Sequence, residues 1–188
     1  MNLILASNSP RRKQLLTEYG FNFTVKPSGY EEKSLNFNPE QTVKAFALGK
    51  ALDVFNGLSS EDKQTAVVLG ADTVVCLNDK ILGKPKTEKE ALDMLKALSG
   101  REHSVLTGYC LITAKETVCQ VEKTAVIFNE LSNELIEEYV ATGKPMDKAG
   151  AYGIQDGYDL VKEIKGSYNN VVGLPVEVFK TQLTNLLK

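Results

Sequence analysis

The run from Ala66 to Leu77 constrains the fold most strongly. Apolar and β-branched residues follow one another through it almost without interruption, a pattern typical of a central β-strand that is covered on both faces. Asp72 breaks the run. A carboxylate inside such a strand must be paired, hydrogen-bonded or bound to a cation, because an unpaired buried charge is very costly. The alternative is an aspartate at a strand end that caps a turn, so Asp72 is a candidate functional residue with two interpretations.

A second candidate site lies near the N-terminus, where a strand-like run over residues 3–6 ends at two serines. Ser9 is predicted to be the N-cap of a helix whose first residue is a proline. Arg11, Arg12 and Lys13 then place three cations in a first turn whose backbone N–H groups already carry about half a positive charge. An anion would relieve this repulsion, so the turn predicts a phosphate site. The alternative is an exposed helix start whose arginines lie in solvent.

Helix patterns and strand patterns alternate along the chain, which predicts an α/β fold. The predicted helices span residues 10–19, 39–55, 88–98, 133–142 and 175–187, and the predicted strands span residues 3–6, 21–26, 66–77, 103–113 and 117–128. The predicted buried faces are Leu15, Leu16 and Tyr19 on the first helix and Val43, Phe46, Ala47, Ala51, Leu52 and Phe55 on the second. Residues 81–85 are predicted to form a loop. A short polar turn at Lys115 and Glu116 joins the last two strands, which predicts a hairpin and therefore a mixed sheet.

The composition excludes several classes of protein. The chain has 188 residues, 43% of them hydrophobic and 24% charged, and a net charge of −2. This predicts a single globular domain over residues 1–188, with no nucleic-acid partner and no membrane partner. Three cysteines and one histidine provide none of the usual zinc ligand sets. Cys76, Cys110 and Cys119 are therefore predicted to be buried free thiols of a cytoplasmic protein, and His103 is expected to be structural.

Six motifs occur in the order and spacing of the Maf family. They are Ser7-x-Ser9-Pro10-Arg11-Arg12, Ala71-Asp72-Thr73, Gly83-Lys84-Pro85, the segment from Gly100 to Gly108, the segment from Asp147 to Gln155, and Gly173-Leu174-Pro175. The chain thus resembles this family over almost its full length. The resemblance implies an elongated mixed sheet with flanking helices, two lobes around a central cleft, and a fold like that of the inosine-triphosphate pyrophosphatases. It also implies a homodimer that hydrolyses nucleoside triphosphates to the monophosphate and pyrophosphate with a divalent metal.

The resemblance assigns roles to individual residues. The residues expected to bind the triphosphate are Ser7, Ser9, Arg12, Lys50, Lys84 and Lys148. Asp72 is expected to accept a proton from the attacking water and, together with Glu32, to contact the metal. Glu31 stands where the family often has aspartate, so which of the two neighbouring glutamates meets the metal stays open. Oxygen ligands and a phosphate substrate favour magnesium or manganese.

Three further positions bear on the choice of substrate. Arg11, Thr73 and Gln155 are similar to the residues found in the branch that acts on dTTP and UTP, which includes modified pyrimidine triphosphates as candidate substrates. The branch that prefers 7-methyl-GTP typically has tryptophan, glutamine and glutamate there. A glutamine side chain offers both a donor and an acceptor to a uracil or thymine edge. A purine-directed enzyme and a nucleotide-binding regulator of septum formation are the alternatives.

Overall fold

A computed structural model describes residues 2–33 and 37–186 of the chain. The strands are β1 (Asn2–Leu5), β2 (Phe23–Val25), β3 (Ala66–Leu77), β4 (Lys80–Leu82), β5 (Glu102–Ile112), β6 (Thr117–Phe128) and β7 (Val161–Lys165). The α-helices are α1 (Pro10–Glu18), α2 (Pro39–Asn56), α3 (Ser60–Thr65), α4 (Glu88–Leu98), α5 (Asn133–Ala141), α6 (Tyr168–Val172) and α7 (Val176–Leu186). Two 3₁₀ turns, Lys144–Asp147 and Ala149–Ala151, follow α5.

The seven strands form one mixed sheet with β3 near its centre. The strand order is β2-β1-β3-β5-β6-β7, and β4 pairs with the end of β3. β1 runs parallel to both β2 and β3, whereas β5, β6 and β7 each run antiparallel to the preceding neighbour. The structure confirms the predicted α/β class, the mixed sheet with flanking helices, and the hairpin of β5 and β6.

Alternation along β3 sends its side chains to two different helical layers. Leu69 and Ala71 belong to an apolar cluster with α1 and α7, whereas Val68 packs with α2 on the opposite face. Because successive strand residues point to opposite faces, Asp72 faces the α2 side and Thr73 faces the α1 side. One strand therefore supplies polar groups to two packed layers.

Glycines let α2 lie directly on the sheet. A Cβ atom at Gly70 would collide with the backbone of Ala47 and lie 2.7 Å from the backbone nitrogen of Ala51, and a Cβ at Gly108 would lie 2.5 Å from the Val43 carbonyl oxygen. Backbone atoms of a packed helix cannot move aside as a flexible side chain can. These two glycines thus fix the height of α2 above β3 and β5.

The structure corrects several predictions of detail. Residues 80–82 form strand β4, which overlaps the start of the predicted loop, and α3, β7 and α6 lie where no element was predicted. Tyr19 and Leu52, predicted to be buried, are 39% and 38% exposed, while Val54 takes the buried position on α2. The tyrosine stays at the surface because its hydroxyl donates to Glu177 at 3.0 Å. The last residue of the predicted C-terminal helix, Leu187, lies outside the described residues.

The prediction of three free thiols is wrong for two of the cysteines. The register of β5 and β6 places Cys110 directly opposite Cys119, and a disulfide joins them. Spacing along the chain does not reveal this pairing because it depends on which residues of the hairpin face one another. Cys76 is the free cysteine of the described structure and is buried.

His103 is a structural residue, in agreement with the sequence-based interpretation. Its ring packs edge-on against Phe128 and Tyr152, and its Nε2 atom lies 2.7 Å from the Tyr152 hydroxyl. Burial lowers the pKa of His103 from 6.5 to about 4. The imidazole is therefore neutral in the folded protein at neutral pH.

Replacing Gly70 by alanine should preserve the fold but lower its melting temperature. The added methyl group must push α2 from the sheet, and overpacking of this kind lowers the melting temperature of a domain this size by about 5–10 °C. Gly83→Ala is the matched control, since a Cβ there meets nothing within 4 Å. Equal melting temperatures for the two variants by circular dichroism would contradict this packing.

The stability of the protein should fall as the pH is lowered from 7 to 5. In this window the unfolded chain binds a proton on His103 that the folded chain does not bind, so acid favours unfolding. Urea unfolding should show that the wild type loses about 2 kcal/mol more than His103→Gln between these pH values. The carboxylates titrate in both proteins, so their contribution cancels when the two changes in unfolding free energy are subtracted. Parallel curves of unfolding free energy against pH would show that the histidine titrates normally in the fold.

Candidate active site

A cleft of about 390 Å³ opens beside the middle of β3. Its polar walls come from α1, α2, β3, the loop before α4 and the segment that follows α5. Among the residues singled out from the sequence, those that line it are Ser9, Arg11, Arg12, Glu32, Lys50, Asp72, Thr73, Lys84, Lys148 and Gln155. Ser7 lies behind this wall, where its Oγ accepts a hydrogen bond from Arg12 Nη1 at 3.1 Å.

The centre of the cleft is a lysine held between two carboxylates. Lys50 Nζ lies 2.7 Å from Asp72 Oδ1 and 2.5 Å from Glu32 Oε1. Asp72 lies within β3 and opposite Gly108 of β5, so the alternative of a turn cap at a strand end is wrong. Burial raises the pKa of Asp72 above its ordinary value, although the charge of Lys50 and its hydrogen bond oppose that change. A carboxylate with a raised pKa is a better proton acceptor than an exposed one.

Arg12 is buried in the wall of the cleft among neutral acceptors. Nε donates to the Gly173 carbonyl at 2.9 Å, and Nη2 donates to Thr73 Oγ1 at 3.1 Å. Ser9 is the N-cap of α1, as predicted, and its Oγ accepts from the Arg12 backbone nitrogen. Burial lowers the pKa of Arg12 from its usual value, with the charge of Asp72 opposing this change, yet guanidinium groups stay protonated in proteins. Three of its five N–H donors are fixed by these bonds and by Ser7, which leaves two for an anion.

Arg11 and Lys148 meet through a carboxylate that sequence reasoning missed. Asp147 Oδ2 accepts from Arg11 Nη1 at 3.0 Å, and Asp147 Oδ1 lies 2.8 Å from Lys148 Nζ. Partial burial alone would raise the pKa of Asp147, but hydrogen bonds from Lys148 and Arg11 hold it below its ordinary value. Its position as the first residue of the motif from Asp147 to Gln155, immediately before Lys148, was the signal that could have identified it.

Asp156, a second residue that sequence reasoning missed, also holds the ammonium group of Lys148. The ammonium group lies 2.6 Å from the Lys144 carbonyl oxygen and 3.3 Å from Asp156 Oδ2. Asp156 in turn accepts a hydrogen bond of 2.5 Å from the buried hydroxyl of Tyr139. This network ties the lysine to the core around α5, so its charge is fixed in the wall of the cleft.

Lys84 and Gln155 are exposed at the rim of the cleft. Within the described ranges, Lys84 makes no ion pair and no side-chain hydrogen bond, so its charge is available to a ligand. The loop that carries it is fixed by a hydrogen bond of 3.0 Å from the Gly150 nitrogen to the Gly83 carbonyl oxygen. This bond joins the lysine loop to the segment that carries Lys148.

The carboxylates of the cleft suit a hard divalent cation shared with a ligand. Glu31 and Glu32 are both exposed, but only Glu32 lines the cleft and reaches the same lysine as Asp72. In residues 2–33 and 37–186, no group of three or more histidine, cysteine, aspartate or glutamate side chains could hold a metal by itself. Two carboxylates suffice for magnesium or manganese when phosphate oxygens and water complete the shell.

None of the helices in the described part of the chain is both long enough and apolar enough to span a bilayer.

The fold and the cleft together define a class of protein. It is an α/β protein with a mixed sheet whose cleft surrounds a buried carboxylate with fixed cations, which is a chemical arrangement suited to a polyanion. Comparison with known proteins identifies the family within this class. The family model described as Maf-like protein matches residues 2–186.

Similar relatives carry the name dTTP/UTP pyrophosphatase. The one from Thermococcus kodakarensis is 48% identical over 94% of this chain and 92% of its own length. The one from a Geobacillus species is 51% identical over 93% of this chain and 92% of its own length. The one from Clostridium botulinum is 43% identical over 97% of this chain and 98% of its own length. The chain belongs to the Maf family, as its motifs indicated.

Proposed function

We propose that the protein is a nucleoside triphosphate pyrophosphatase that hydrolyses dTTP and UTP to the nucleoside monophosphate and pyrophosphate. The observation that carries the proposal is the lysine between Glu32 and Asp72 at the centre of a cationic cleft. The relatives named dTTP/UTP pyrophosphatase support the same reaction and substrates. Purine triphosphates and modified pyrimidine triphosphates are the competing substrates that an assay must include.

In the proposed reaction, water attacks the α-phosphorus and pyrophosphate leaves. Asp72 accepts the proton of the attacking water, a role that its burial and raised pKa favour. Lys50 stands beside this carboxylate and neutralises charge that develops on the α-phosphate. Arg12 and Lys84 donate to the remaining phosphate oxygens, and Lys148 binds the triphosphate through its fixed positive charge. Ser7 and Ser9 orient the arginine and the start of α1. Catalysis thus depends on positioning and on fixed positive charge.

We further propose that magnesium or manganese binds at Glu32 and Asp72. The metal would supply Lewis-acid neutralisation of phosphate oxygens. The placement of Glu32 in the cleft favours it over Glu31 for this role. A homodimer, which rests on the resemblance to the family, completes the proposal. A single-domain chain in the cytoplasm, with no nucleic-acid or membrane partner, rests instead on the composition and net charge.

Arg11, Thr73 and Gln155 are the proposed determinants of base selection. Arg11 and Gln155 lie on the accessible walls of the cleft, where a base could reach them. Thr73 Oγ1 instead lies between Arg12 and Thr107, 2.9 Å from the Thr107 hydroxyl. We propose that Thr73 acts on selection by fixing the neighbouring arginine.

Replacing Asp72 by asparagine should remove most of the activity. The amide cannot accept the proton of the attacking water, and loss of a general base lowers kcat by about 100- to 10,000-fold. The measurement is pyrophosphate release from UTP and dTTP with magnesium or manganese. Asp93→Asn, which alters an exposed carboxylate on α4, is the control and should keep wild-type activity. Full activity in Asp72→Asn would exclude the proposed proton acceptor.

Arg11→Trp and Arg12→Ala should separate base selection from phosphate binding. The first should lower kcat/KM for UTP and dTTP more than for GTP and 7-methyl-GTP, since Arg11 faces the nucleoside in the proposal. The second should lower kcat/KM for every triphosphate, by about tenfold or more for the loss of a charge-assisted hydrogen bond. Proportional losses on all nucleotides in both variants would show that the two arginines do not divide these tasks. Wild-type protein that turns over no triphosphate would exclude the enzyme and leave the nucleotide-binding regulator.

A further inference from the structure

The two carboxylate oxygens of Asp147 contact two different cations of the cleft. Oδ2 holds Arg11 at 3.0 Å and Oδ1 holds Lys148 at 2.8 Å. Arg11 belongs to α1, whereas Asp147 ends the 3₁₀ turn after α5. The carboxylate thus joins two segments that are 136 residues apart in sequence.

The geometry of Lys148 shows that one end of this contact is firmly anchored. An ammonium group has three donors, and here they meet the Lys144 carbonyl, Asp147 and Asp156. The side chain of Asp156 is 14% exposed and is bonded to the hydroxyl of Tyr139. The network therefore extends from the core around α5 to the mouth of the cleft and ends at Arg11.

Arg11 is the least buried of the cations in this network. Its side chain is 28% exposed, and the guanidinium has no other hydrogen bond within the described residues. A long, partly exposed arginine samples many rotamers unless a planar partner holds its fork. Asp147, whose own side chain is 59% exposed, restricts that freedom through one bond from Arg11 Nη1 to its Oδ2 and keeps the guanidinium at the wall of the cleft.

We propose that Asp147 is a positioning residue for base selection, which it supports by holding Arg11 in one orientation against the anchor of Lys148. This inference rests on the proposed function, because it gives Arg11 the task of facing the nucleoside. It differs from a role in phosphate binding. A change at Lys148 affects all triphosphates alike because they carry the same phosphate chain, whereas a change in the orientation of Arg11 affects one base more than another.

The test is the ratio of affinities for two nucleotides that cannot be cleaved between the α- and β-phosphates. Titration calorimetry with α,β-methylene-UTP and α,β-methylene-GTP in the presence of magnesium gives two Kd values for each protein. Their ratio cancels any effect common to the phosphates. Asp147→Asn should reduce the preference for the uridine compound by about fivefold, the size expected for one partly exposed charge pair.

Three variants separate positioning from a general structural effect. Asp147→Glu keeps the charge and should retain the wild-type ratio within about twofold. Asp156→Asn, the matched control, touches Lys148 but not Arg11, and should change both Kd values by the same factor. In an Arg11→Ala background, Asp147→Asn should leave the ratio unchanged, since the group that it positions is absent.

The outcomes distinguish this inference from the proposed function. An unchanged ratio in Asp147→Asn, or the same loss of preference with and without Arg11, would overturn the positioning role. Failure of the wild type to bind either analogue would overturn it as well. A wild type that shows the expected ratios but releases no pyrophosphate from UTP would instead exclude the proposed hydrolysis and support selective nucleotide binding.

Discussion

The ion pair between Lys50 and Asp72 is the interaction on which the rest of the site depends. A carboxylate on the central strand must be paired with a cation or hydrogen-bonded, and the 2.7 Å contact with Lys50 meets both requirements. The lysine reaches it because Gly70 and Gly108 let α2 lie against the sheet. The same close packing that stabilises the fold therefore sets the distance between the proposed base and its neighbouring charge.

The other fixed cations of the cleft are held in two different ways. Arg12 is held by hydroxyl and carbonyl oxygens, and these neutral acceptors leave its charge available to an anion. Lys148 is held by Asp147 and Asp156, and the first of these also fixes Arg11. The two sides of the cleft thus differ in how their cations are held. In the proposed function the Arg12 side binds phosphate alone, and the Arg11 and Lys148 side links phosphate binding to selection of the base.

Local patterns in the sequence were sufficient to predict most of the main helices and strands. The apolar run of β3, the Ser9 cap and the hairpin turn depend on near neighbours, so each could be identified from the chain alone. Motif resemblance then placed the charged residues of the cleft. Helix α6 has only five residues, which is too short for a periodic pattern. Strand β7, the disulfide of Cys110 with Cys119 and the contact of Asp147 with Arg11 depend on which residues of two segments face one another. Sequence periodicity carries no information on such pairings, which is why they were missed.

The central claim is that water held by Asp72 attacks the α-phosphorus of a bound pyrimidine triphosphate. Hydrolysis of UTP in ¹⁸O-labelled water, followed by mass spectrometry of both products, tests it most directly. Attack at the α-phosphorus places one label in UMP and none in pyrophosphate. Label in the pyrophosphate, with unlabelled UMP, would show attack at the β-phosphorus and would contradict the assignment of the cleft.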